Sequence, residues 1–139
     1  MKSLKQLAAI AVFSALTCAG LHAQGVDLRA TIPFDFSVGQ ASMPAGDYEI
    51  RGQGTVVLVR RTDSGKPATA MVTTIGADRP DRSGTARLEF HRYGGEYFLA
   101  AVWYPDTVGG REVLQTGRER EMAKRLGAAV EATVIANKR

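Results

Sequence analysis

The chain has 139 residues, 45% of them hydrophobic, and a net charge of +4 from 18 basic and 14 acidic side chains. That length is one domain's worth, and it can bury a core without covalent staples. A single cysteine excludes an intramolecular disulfide and a cysteine-based zinc site, and mixed charge without a basic patch or a recognition motif argues against nucleic acid as a partner.

Residues 1–23 have the pattern of a signal peptide. Lys2 and Lys5 form a positive start, Leu7 to Ala19 is an uncharged apolar run, and Leu21-His22-Ala23 puts a small residue at the cleavage position. The run is shorter than the roughly 20 apolar residues a spanning helix needs. Cys18 follows Ala15-Leu16-Thr17, a poor match to a lipid-anchor pattern. The expectation is cleavage between Ala23 and Gln24 and a single exported domain over 24–139, periplasmic or extracellular, with no transmembrane segment in the mature chain. Removing the leader takes Lys2, Lys5, Cys18 and His22, and leaves a charge of +2 with His91 as the only histidine.

Val26 to Ile32 alternates apolar and polar residues with period two, which predicts a half-buried strand. Phe34 and Phe36 continue the apolar set past Pro33, a bend or an edge position. Gly39 to Ser42 reads as a loop and Pro44-Ala45-Gly46 as a turn. Asp47 to Arg51 resumes as a strand with Tyr48 and Ile50 on one face. Gly52-Gln53-Gly54 reverses the chain into Thr55–Arg61, the most β-branched run. Asp63-Ser64-Gly65 turns it into Ala68–Ile75, and Gly76 to Gly84 reads as a polar loop.

Thr85–Tyr93 and Glu96–Tyr104, separated by Gly94-Gly95, predict a two-residue hairpin with a primed turn. A regular register pairs Tyr93 with Glu96, Phe90 with Leu99, Leu88 with Ala101 and Ala86 with Trp103. It places Leu88, Phe90, Tyr97, Leu99 and Trp103 on the core face. Arg87, Glu89, His91 and Tyr93 share the other face with Phe98, Ala100 and Val102. The second strand is thus apolar on both sides, and its far side needs a cover.

Thr116-Gly117-Arg118-Glu119 has the form of a capping box, and Gly127 is a stop signal. A helix of about ten residues between them would pair Met122 with Leu126 and Glu121 with Arg125 at i, i+4. Too short to stand alone, it is the candidate cover. Val130 to Ala136 reads as a final strand. The total is about seven strands with frequent turns: an all-β antiparallel sandwich or small barrel, with one short C-terminal helix before the last strand. An outer-membrane barrel, which needs at least about eight strands of roughly ten residues, fits poorly.

Ile32–Gly39 (IPFDFSVG), Met43–Ile50 (MPAGDYEI) and Leu88–Leu99 (LEFHRYGGEYFL), followed by the Arg/Glu-rich segment Arg118–Arg125, resemble a group of small exported bacterial proteins that carry a signal peptide and have no assigned activity. The resemblance implies export and a β fold, and no catalytic residues.

Nucleophilic and zinc chemistries need histidine together with a nucleophile or further ligands, and here His91 stands alone. Arg87, Glu89 and His91, at i, i+2 spacing, form the one candidate surface cluster, whose ordinary role is a solvent-facing strand side. Asp78 and Asp81 lack calcium-loop spacing and are flanked by Arg79 and Arg82. No metal, cofactor or catalytic residue is expected. Three functions compete: a non-enzymatic binding or accessory module of the cell envelope, recognising an envelope protein or a small ligand; a structural or stress-related envelope protein; and a hydrolase built on Glu89 and His91 with Arg87. A deep cavity would favour a small ligand, a flat apolar patch including Phe98 and Val102 a protein partner, and carboxylates converging on His91 within a cleft an enzyme.

Overall fold

The structure, a computed structural model, describes residues 27–78, 83–105 and 109–138. The expected leader, its Ala23/Gln24 cleavage position, Val26 and Asp81 lie outside them. The elements are β1 (Asp27–Ile32), β2 (Phe36–Val38), β3 (Ala41–Met43), β4 (Gly46–Gln53), β5 (Val56–Arg61), β6 (Thr69–Asp78), β7 (Arg87–Tyr93), β8 (Glu96–Trp103), β9 (Gly109–Val113), α1 (Gly117–Leu126), β10 (Val130–Ile135) and β11 (Asn137–Lys138).

The all-β class with one late helix is as expected, but the described residues form eleven strands where about seven were expected. The expected loop at Gly39–Ser42 is a tight hairpin joining β2 to β3. β9 is short and opens on two glycines, so neither propensity nor alternation marks it. β6 runs three residues into the expected polar loop, through Asp78. The last strand breaks at Ala136 into β10 and β11.

That break closes the sheet. The hydrogen-bonded order is β10-β7-β8-β9-β6-β5-β4-β1-β11. Its two ends, β10 on β7 and β11 on β1, are joined in the chain by Ala136 alone. Ala136 donates its amide to Ala86 at 3.0 Å. The strands therefore form a small closed barrel, in which closure removes the edges an open sheet would expose. β6 helps by turning a corner: Thr69–Thr73 pair with β5, and Thr74–Asp78 pair with β9. β9 covers only Ala101–Trp103 of β8. Beside the uncovered part, β2 lies parallel to β8 with Ser37 opposite Phe98.

The interior is filled by side chains. Leu28, Ile32, Tyr48, Ile50, Val57, Val59, Leu88, Phe90 and Val102 are fully buried, with Phe36 edge-on to Tyr48 at 5.1 Å and to Phe90 at 5.4 Å. Phe34 is edge-on to Phe90 at 5.0 Å and stacks on Tyr97 at 3.8 Å. Outward positions carry Arg29, Thr31, Asp47, Arg60 and Thr69. The interior is apolar, while the outer face mixes these polar side chains with exposed Met71, Ile75, Val130 and Ile135. Among the described residues no helix is long and apolar enough to cross a membrane.

The β7–β8 hairpin has the expected turn: Gly94 takes φ +60° and Gly95 does not take a positive φ, the pattern of a type II′ turn. Tyr93 faces Glu96 and Phe90 faces Leu99 as expected, but a bulge then shifts the register. Glu89 faces Ala101, Leu88 faces Val102 and Arg87 faces Trp103. The extra residue, Ala100, rotates the end of β8 by one pleat. Val102 therefore joins the interior, while Ala101 and Trp103 move to the outer face. Trp103 is still buried, at 3% exposure. It packs under the Arg87 guanidinium, 5.8 Å from the ring.

Candidate functional site

Two features meet where α1 lies on the outer face of β7 and β8. The first is the cover. Thr116 caps α1, its hydroxyl accepting from the Glu119 amide at 3.1 Å, and Gly127 ends it with φ +84° and its amide donating to the Ala123 carbonyl. Met122 packs against Tyr93 and Phe98, flanked by Ala123 and Ala129. The helix is the cover the apolar far side of β8 called for. Phe98 lies beneath it and Val102 is interior, so neither forms an exposed patch.

Two expected helix contacts are replaced. Leu126 is 56% exposed and does not join Met122. Glu121 pairs with Lys124 at 3.6 Å, while Arg125 donates to the Met122 sulfur at 3.1 Å.

Glu119 is the residue sequence reasoning missed. The third helical residue of a capping box ordinarily folds back on its own helix. Instead Glu119 is 4% exposed and points into the sheet. Its Oε2 lies 3.4 Å from His91 Nδ1 and accepts from the Tyr93 hydroxyl at 3.2 Å. Its place three residues before Met122 put it on the buried stripe of the helix, the one available clue. The helix N-terminus also favours a negative charge there.

Arg87, Glu89 and His91 share one strand face as expected, but they do not act as one cluster. Arg87 bonds to Glu89 at 3.3 Å and lies over Trp103, whereas His91 turns to Glu119. The imidazole is held above its ordinary value, chiefly by the hydrogen bond it makes to Glu119, with burial opposing and the charges of Glu119, Glu131 and Glu89 adding. Burial, then the same carboxylate, raises the Tyr93 phenol. Three carboxylates thus face His91. Its hydrogen-bond partner among the described residues is Glu119. Among the described residues no three His, Cys, Asp or Glu side chains are grouped to hold a metal.

The second feature is an open groove of about 400 Å³ beside the start of α1, lined by Asp35, Ser37, Ser42, Pro44, Glu96, Tyr97 and Arg118 among others. β2 and β3 present Ser37 opposite Ser42. Asp35 holds the following turn by accepting from the Ala45 amide at 2.9 Å. Arg118 crosses from α1 to donate to both oxygens of Glu96, at 2.8 and 2.9 Å, and lies over the Phe98 ring at 5.8 Å. None of these groove residues was singled out by the sequence as a site, because they come from four separate segments. The chain matches no protein-family model, no curated protein and no solved structure.

Proposed function

We propose that this chain is an exported, non-enzymatic binding module of the cell envelope, and that it binds through the groove between the β2–β3 hairpin and α1. The observation that carries this reading is the lining of the groove. Ser37 and Ser42 supply hydroxyls that both donate and accept, Asp35 and Glu96 accept, Arg118 donates, and Tyr97 adds an aromatic surface. That mixture suits a ligand whose groups are themselves donor and acceptor at once, which describes the hydroxyls of a glycan. The packed interior supports a surface site over a barrel cavity.

Chemical-shift mapping of the protein recovered after export, titrated with soluble malto-, cello- and chito-oligosaccharides, tests the reading. Shifts should cluster at Ser37, Ser42, Tyr97 and Arg118. No shifts, or shifts confined to another face, would overturn it. Export has its own check: the recovered protein should begin at Gln24 by mass spectrometry, and a retained Met1 or a lipid on Cys18 would refute cleavage after Ala23.

A hydrolase reading draws on the convergence of Glu119, Glu89 and Glu131 on His91. Turnover in a hydrolase screen, abolished by His91→Ala, would establish it in place of the binding module.

A further inference from the structure

We infer that α1 is a pH-dependent cover, clasped to the barrel by Glu119 through His91 and Tyr93, and that loss of the His91 proton loosens it together with the Arg118 wall of the groove. Its last step rests on the binding reading above; the clasp itself does not.

The geometry sets the clasp apart from ordinary helix docking. The buried apolar contribution of α1 is Met122 alone, and Leu126, which would have doubled it, faces solvent. The other buried residue of the helix is a carboxylate. Its Oε2 reaches β7 at two points, the Tyr93 hydroxyl and His91 Nδ1. A helix of ten residues has little stability of its own, so these polar contacts carry an unusual share of its attachment.

The charged groups facing His91 all have one sign. α1 contributes Glu119, β10 contributes Glu131 directly opposite in register, and β7 contributes Glu89, itself held by Arg87. β8 contributes Phe98, which is uncharged. Of the helix cations, Arg118 lies over the Phe98 ring and is taken up by Glu96. A protonated imidazole balances the carboxylate beneath the helix. A neutral one removes that balancing charge, and it donates to Glu119 only in the tautomer that carries the proton on Nδ1.

The sign follows. His91 is raised above its ordinary value of 6.5, so its contribution to docking is whole below that value and is lost as pH rises through the raised one. Glu119 and Arg118 are adjacent on α1. Loosening the first therefore frees the second from Glu96.

Hydrogen exchange on the recovered protein at pH 5.5 and pH 8.5, corrected for intrinsic rates, tests the clasp. Protection of the α1 amides should fall about threefold at the higher pH, the scale of a partly exposed ion pair, while the β7 and β8 amides stay unchanged. In His91→Gln the fall should vanish. Glu119→Gln, which keeps the shape of the side chain, should also abolish it and serves if His91→Gln misfolds. Equal α1 protection at both pH values, or a pH effect that survives both substitutions, would overturn the clasp. Oligosaccharide titration at the same two pH values separates the two readings. A pH-sensitive helix with no ligand bound retains the clasp and refutes the groove; binding with a pH-insensitive helix does the reverse. Affinity that ignores the loosening of α1 would refute the link between them.

Discussion

Seventeen buried residues, all apolar but for the Tyr48 hydroxyl, form one continuous cluster inside the barrel, drawn from both ends of the described chain. The layer beneath α1 has three, Tyr93, Phe98 and Met122, together with a buried carboxylate. Both regions use the same hairpin, whose two faces they cover. The interior is held by area removed from water, which is insensitive to pH and spread over many side chains. The covered face is held by a few contacts, of which the polar ones are directional and titratable. One hairpin thus carries a permanent face and a conditional one. Local opening concentrates where buried apolar contacts are few, so α1 is the expected site of motion.

Substitutions can break that contrast. Phe90 packs edge-on against both Phe34 and Phe36, so Phe90→Ala should cost about 4 kcal/mol, the range for a buried large aromatic, with cooperative loss of the whole fold in a urea melt. A loss confined to α1 would show that the two regions are not distinct. Trp103→Ala should cost about 3 kcal/mol even though Trp103 faces outward, because it is as buried as an interior residue. A loss below about 1 kcal/mol would mark it as surface.

Met122→Ala sharpens the contrast further. It should cost about 2 kcal/mol and release α1 selectively, so exchange rises in Glu119–Leu126 before it rises in β7. Deleting the chain from Thr116 onward is not an equivalent experiment. It would remove β10 and β11, which close the barrel, along with the helix. The smallest effect belongs to Leu126→Ser, which should lie within about 0.5 kcal/mol in thermal melts because that side chain is exposed. A larger loss would mean that Leu126 shares the cover with Met122 as the helical spacing suggests.

Local patterns made much of this protein legible. Period-two alternation identified the inward residues of β1 and β4, the Gly-Gly pair set the hairpin turn, and Thr116 and Gly127 bounded the helix, because turns, caps and strand faces depend on neighbours in sequence. Packing decided the rest. The bulge at Ala100 arises where β8 must meet both β7 and β9, and no local signal distinguishes Ala100 from Ala101. Closure depends on a single residue, Ala136, passing between two strands remote in sequence. Glu119 reads as an ordinary capping residue until β7 places His91 and Tyr93 beneath it. The groove unites segments more than eighty residues apart, from Asp35 to Arg118. Register shifts, closure and converging side chains depend on distances between elements, and a linear sequence encodes those only through the fold.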